Sequence, residues 1–266
     1  MNAHEIDYKI YGEEMQFVEI ELDPQEGVVA EAGSFMMMDD QIKMDTILGD
    51  GSGQSKDILG NLFSAGKRLL TGESLFMTVY TNLSNIRRKV SFASPYPGKI
   101  IPIDLKSYQG VFICQKDAFL CAAKGVSISI EFSKRLGRGF FGGEGFIMQK
   151  IEGDGMSFLH ASGTVVQREL KEGEILKVDT GCIVGFSQTV NYDIEYIGGI
   201  RNTVFGGEGF FFATLKGPGT IAIQSLPFSR LADRIIASAP SQGGKRKDEG
   251  SILGGLGDLL DGDNRI

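Results

Sequence analysis

Phe141-Gly142-Gly143-Glu144-Gly145-Phe146 decides how this chain is read, because it returns as Phe205-Gly206-Gly207-Glu208-Gly209-Phe210. A weaker copy, Gly72-Glu73-Ser74-Leu75-Phe76, stands upstream. The residues beyond the two strong copies match as well. After Glu144 come Phe146 to Ile151, a turn at Gly153-Asp154-Gly155, and Met156 to Ala161; after Glu208 come Phe210 to Leu215, a turn at Gly217-Pro218-Gly219, and Thr220 to Ser225. Short apolar runs joined by a glycine turn predict two strands with a tight connection.

A later half of the pattern recurs as well. Gly110 to Phe132 and Gly173 to Tyr196 match in spacing and in their closing alternation, and Gly27 to Thr46 is their counterpart near the chain start. Self-similarity of this kind marks one unit used several times. The last copy lacks a later half and the chain start lacks an opening half. The reading is therefore an all-β fold of three modules, at about 73–132, 144–196 and 208–228, the last completed by 5–46 so that a ring of three closes.

Composition agrees with a globular chain long enough to bury a core, with 266 residues, 42% hydrophobic and 23% charged. The 37 glycines follow no three-residue period, which excludes collagen, and fit closely spaced turns. A net charge of −7 argues against a nucleic-acid surface, which needs clustered Lys and Arg. Met1 to Asp7 shows no basic segment leading into an apolar one, so no secretory signal is read. No apolar run approaches the roughly 18 residues that span a bilayer. Cys114, Cys121 and Cys182 lie in apolar strand-like runs and read as free thiols in a reducing compartment. The expected location is cytoplasmic.

In chain order, Ile6 to Tyr11 and Met15 to Leu22 predict two strands around Gly12-Glu13-Glu14. Val28 to Met38 comes next; its Met36-Met37-Met38 triplet reads as core filler, the alternative being an adaptable binding groove. Residues 49–71 break the β texture. Gly49 to Gly53 reads as a loop and Ser55 as the cap of a helix with Ile58, Leu59, Leu62, Phe63, Leu69 and Leu70 on one face. That helix packs on its own β core or, in the alternative, meets a partner or membrane surface, with Ile58, Leu59, Leu62 and Phe63 as candidate contacts. Pro102 demotes Lys99 to Ile103 to an edge or bulged strand. Ser229 to Ser238 predicts a C-terminal helix, 229–239, laying Leu231, Ile235 and Ile236 against the core, and 240–266 reads as a disordered tail.

Chemistry is thin. His4 and His160 are the two histidines, and neither Cys-x-x-Cys nor His-x-x-x-His occurs. There is no Gly-x-Ser-x-Gly elbow and no Gly-Lys-Ser/Thr phosphate loop. No catalytic, metal or cofactor residue is singled out and no cofactor is expected. Glu73, Glu144 and Glu208 are the one charged set repeated across the modules; capping of backbone N–H groups is the preferred role and cation binding the alternative.

Several spaced motifs together resemble one family: Glu31-Ala32-Gly33-Ser34-Phe35-Met36, Gly72-Glu73-Ser74, Asp117-Ala118-Phe119-Leu120, Gly142-Gly143-Glu144-Gly145, Leu170-x-x-Gly173-Glu174-x-x-x-Val178-Asp179-Thr180-Gly181, Gly206-Gly207-Glu208-Gly209 and Gly217-Pro218-Gly219. Over about Met15 to Pro240 the chain is similar to the altered-inheritance-of-mitochondria 24 family. The resemblance implies a β-sandwich module like the subunit of the tryptophan-RNA-binding attenuation protein, repeated three times in pseudo-threefold arrangement, and it brings no catalytic residues to carry over. The functional expectation is a non-enzymatic scaffold or binding protein that meets a protein partner, a second copy of itself or a membrane surface, without nucleic acid. The alternative is a small-molecule-binding or enzymatic β domain.

Overall fold

The computed structural model describes residues 3–48, 76–134, 146–196 and 211–238. Within them the chain is all-β apart from one helix and a few 3-10 turns. The strands form because apolar side chains alternate with polar ones. In Phe17-Val18-Glu19-Ile20-Glu21-Leu22, Val18, Ile20 and Leu22 are fully buried. Glu19 and Glu21 face outward, at 2.8 Å from Lys89 and 2.8 Å from Arg87. One face thus enters the core while the other carries cross-strand ion pairs.

The strands are β1 (Asp7–Tyr11), β2 (Phe17–Leu22), β3 (Gly27–Glu31), β4 (Phe35–Met38), β5 (Ile42–Leu48), β6 (Phe76–Asn82), β7 (Arg88–Ala93), β8 (Lys99–Asp104), β9 (Val111–Gln115) and β10 (Phe119–Ala123). They continue with β11 (Ser127–Lys134), β12 (Phe146–Glu152), β13 (Met156–Ala161), β14 (Val165–Leu170), β15 (Ile175–Asp179), β16 (Ile183–Ser187), β17 (Asn191–Tyr196), β18 (Phe211–Lys216) and β19 (Gly219–Gln224), followed by helix α1 (Phe228–Ser238). They assemble into four antiparallel sheets of order β1-β2-β7-β4, β5-β6-β3-β10-β13-β8, β11-β12-β9-β16-β19-β14 and β15-β18-β17. Among the described residues β8, which holds Pro102, pairs only with β13 and ends its sheet, as the missing N–H favours.

The same ladders recur six strands on. β6 lies between β5 and β3 as β12 lies between β11 and β9 and β18 between β17 and β15. β7 lies between β2 and β4 as β13 lies between β8 and β10 and β19 between β14 and β16. Two expectations are corrected by these ladders. Each later half pairs with the opening half that comes after it, so the expected boundaries 73–132 and 144–196 cut through hydrogen-bonded neighbours. Consecutive strands β5 and β6, β11 and β12, and β17 and β18 are antiparallel partners, which a local connection favours over a distant one. And 5–46 does not complete the last module: among the described residues, β1 to β5 make ladders with one another, β6, β7 and β10, and none with β18 or β19.

The glycine turns are corners. β12 and β13 leave Gly153 and Gly155 for different sheets, and β18 and β19 part in the same way at Gly217 and Gly219. The first corner, β6 to β7, is built on Asn82, which is fully buried. Its Nδ2 donates to the carbonyls of Leu22 at 2.9 Å and Ile86 at 2.8 Å. Its Oδ1 accepts from the Ser84 N–H at 2.9 Å and hydroxyl at 2.7 Å. Both donors and both lone pairs of the amide are used.

The apolar interior forms two clusters, one around Phe92, Phe112, Phe119 and Phe158 and one around Phe146, Phe186, Leu215 and Ile221. Strand β9 serves both, since Phe112 and Cys114 enter the first and Ile113 the second. Opposite faces of one strand thus serve two cores. Residues 1–230 form one compact unit and Leu231 begins a second. Ile235 and Ile236 of α1, expected against a core, are 62% and 70% exposed. The helix of 55–70 and the tail of 240–266 lie outside the described residues.

Asn82→Ala is expected to lower unfolding stability by about 2–3 kcal/mol, because the Leu22 carbonyl of β2 and the Ile86 carbonyl of the turn lose their donor and the Ser84 N–H loses its acceptor. Urea unfolding at constant m-value measures it; a loss within about 0.5 kcal/mol would mean the corner does not depend on this amide.

Candidate functional site

The residues singled out in the sequence, Ile58, Leu59, Leu62 and Phe63 and the carboxylates Glu73, Glu144 and Glu208, all lie outside the described residues. Among the described residues no group of three His, Cys, Asp or Glu side chains is placed to hold a metal ion. The depression lined by Gln41, Ile42, Lys43 and Leu83 is open to solvent. No described helix is long and apolar enough to cross a membrane.

The fold presents a strand edge instead. After β3 the chain turns at Gly33, whose φ of +92° favours glycine. The Ser34 hydroxyl closes the turn by donating to the Glu31 carbonyl at 2.7 Å. The turn moves the chain into another sheet, where β4 pairs with β7 and with nothing on its other side among the described residues. Phe35 is 40% exposed, Met36 47%, Met37 45% and Met38 38%. The core-filler reading of the methionine triplet is therefore overturned. A run of four apolar residues looks the same in a strand covered on both faces and in one that awaits cover, so the sequence held no signal to separate them. Phe35 is anchored, its ring stacked on Tyr80 at 5.6 Å, and Tyr80 meets Phe92 edge-on at 5.1 Å.

A polar group stands where β3 ends. Glu31 is held near a pKa of about 7, first by burial, then by the charge of Asp117, with Lys116 partly offsetting them. The two motifs that begin at Glu31 and Asp117 thus meet in space. Tyr96 donates from its hydroxyl to the Asp117 carbonyl at 3.4 Å and stacks on Phe228 at 5.0 Å. Burial, with Asp117 and Glu31 adding, pushes the Tyr96 phenol well up. His160 lies edge-on to Tyr96 at 4.8 Å with Nδ1 at 3.3 Å from the Ser94 hydroxyl, and burial holds it down to about 4. It is a neutral packed imidazole at pH 7. Cys114 and Cys121 are buried thiols pushed up by burial, Cys182 is half-buried, and no disulfide joins any of the three. The two buried thiols lack the electropositive, exposed setting that lowers the pKa of a reactive cysteine.

The fold and this edge define an all-β protein that offers an apolar, partly unpaired strand. The chain belongs to the family described as Mitochondrial biogenesis AIM24, which matches residues 8–226. An uncharacterised protein of Streptococcus pyogenes serotype M6 is 30% identical over 233 residues, covering 85% of this chain and 89% of that one. A crystal structure of a Streptococcus pyogenes protein has the same fold, with a TM-score of 0.69 and 23% identity over 88% of this chain and 100% of its own.

Glu31 gives a pH signature. Between its ordinary value of 4.5 and the folded value of about 7, the unfolded chain is ionised there while the folded chain keeps the proton. The folded state binds more protons, so this residue makes stability fall as pH rises through that window. His160 acts oppositely, costing stability as pH falls from 6.5 toward about 4. Glu31→Gln is expected to gain melting temperature on the parent protein progressively from pH 5 to 7 and to hold that gain at pH 8. A difference that stays constant across thermal scans at these pH values would remove Glu31 as the titrating group.

Proposed function

We propose that this protein is a non-enzymatic binding or scaffold protein of a reducing, cytoplasmic compartment that holds a protein partner along the β4 edge. The observation that carries this reading is the exposure of Phe35, Met36, Met37 and Met38, between 38% and 47% each, on a strand that ends its sheet. Completing their burial is worth on the order of 1 kcal/mol apiece. Unbranched methionines adapt to more than one partner shape, and the outer edge offers main-chain groups for strand addition. The family's description as mitochondrial biogenesis is of the same kind, an organising role and not a named reaction. In this reading Ile58, Leu59, Leu62 and Phe63 supply a second apolar contact, to the same partner or a membrane surface. Nucleic acid is no part of it, given the net charge of −7.

The alternative, a ligand-binding or enzymatic β domain, would draw on Glu31 and Asp117. The depression at Gln41, Ile42, Lys43 and Leu83 is open to solvent and adds no support to it.

Met37→Glu with Met38→Glu tests the main reading. Both positions are exposed, so the melting temperature should stay within a few degrees of the parent. In quantitative affinity capture from the native cell, co-purifying partners should fall at least tenfold. Undiminished capture by a folded double variant would exclude the β4 edge as the binding surface.

A further inference from the structure

The β4 edge has a counterpart at the other end of the strand order. β3 pairs through its outer side with β10, and β9 with β16. In the first joint Cys121 faces Ala30 and Ala122 faces Val29; in the second Gly185 faces Cys114 and Phe186 faces Ile113. The strands that enter these joints, β10 and β16, share a bulge with β4. The ladder to the neighbouring strand shifts between Phe119 and Cys121, between Ile183 and Gly185, and between Phe35 and Met37. Six strands beyond β9 lies β15, paired with β18 as β9 is with β12, and ending its sheet.

Burial separates the filled joints from the unfilled one. All five residues of β10 and all five of β16 are buried, whereas all four of β4 are exposed. On the receiving side, β9 buries four of its five residues and β15 only one, with Ile175 58% exposed. Among the described residues β4 and β15 are thus the two halves of a joint that is made twice and left open once.

We propose that the outer edge of β4 pairs antiparallel with the outer edge of β15 from a second copy of this chain, in the register of the internal joints. The third residue of β10 and of β16 faces the fourth residue of β3 and of β9. Met37 therefore lies opposite Val178, and Met38 opposite Lys177. This deepens the binding reading and rests on it, since it names the occupant of the β4 edge. The two edges are different surfaces, so the contact is heterologous: copies add head to tail and either close a ring or extend. Covering β4 also removes the aggregation hazard of an apolar strand edge that carries neither proline nor charge.

The test uses the full chain. Strand pairing brings directly opposite Cα atoms to roughly 4.5–5.5 Å, within reach of a disulfide. Met37→Cys chains mixed with Val178→Cys chains under mild oxidation should give disulfide-linked dimers that neither variant gives alone. Met38→Cys with Lys177→Cys, both exposed positions, repeats the test if Val178→Cys does not fold. In sedimentation the parent chain should self-associate with concentration, and Met37→Glu with Met38→Glu should weaken that at least tenfold. A chain monomeric at every concentration and without cross-links overturns the pairing. So does a chain carrying both cysteines that links only within itself, which would mean that β4 and β15 close on one another. A monomeric parent whose cellular capture is still lost on Met37→Glu with Met38→Glu overturns the self-pairing alone and leaves the binding function standing.

Discussion

Backbone N–H and C=O groups along a strand must pair or face water, and in this protein that requirement organises everything else. The ladders β3 to β10 and β9 to β16 join one group of strands to the next, turning short sheets into two six-stranded ones. They are close contacts. A Cβ at Gly185 would come within 2.6 Å of the Ile113 carbonyl oxygen and of the Phe112 ring, so the second joint admits no side chain at that position. The cores form on either side of these joints, and the residues that enter them are buried because the joint covers them.

Corners make the joints possible. Because β6 and β7, β12 and β13, and β18 and β19 part into different sheets, each pair of consecutive strands serves two sheets at once. The chain reaches these corners by different means. Asn82 saturates its own hydrogen bonds at the first, and glycines fill the others, with φ of +152° at Gly153 and +144° at Gly219. At the end of β19 Gln224 has a related role: its Oε1 accepts from the Ser162 N–H at 2.9 Å and its Nε2 donates to the Gly181 carbonyl at 3.0 Å. A buried amide that uses both ends fixes geometry without leaving a polar group unpaired.

The first joint also sets the charge on the Glu31 carboxyl. Glu31 ends β3 and Asp117 precedes β10, so pairing those strands draws two carboxylates together over a partly buried site. Like charges and desolvation then act in the same direction. The corresponding place at the end of β15 differs: Asp179 meets Arg230 at 2.8 Å and caps the turn at Gly181.

Local chemistry made much of this legible. Alternation in Phe17 to Leu22, the glycine corners, and Pro102 on an edge strand arise from period, φ and the missing N–H, all properties of a few neighbouring residues. The spaced motifs carried the family. Which half pairs with which was not legible, because a ladder between β3 and β6 or β9 and β12 is chosen by long-range fit that alternation does not encode. The fate of Phe35 to Met38 was hidden for the same reason: their composition is that of a covered strand, and cover is a property of the neighbour. The amino-acid sequence by itself determined that this chain makes short strands, sharp glycine corners and a methionine-rich run. Tertiary structure alone decided that the run ends a sheet, since exposure depends on which distant backbone takes up the other edge.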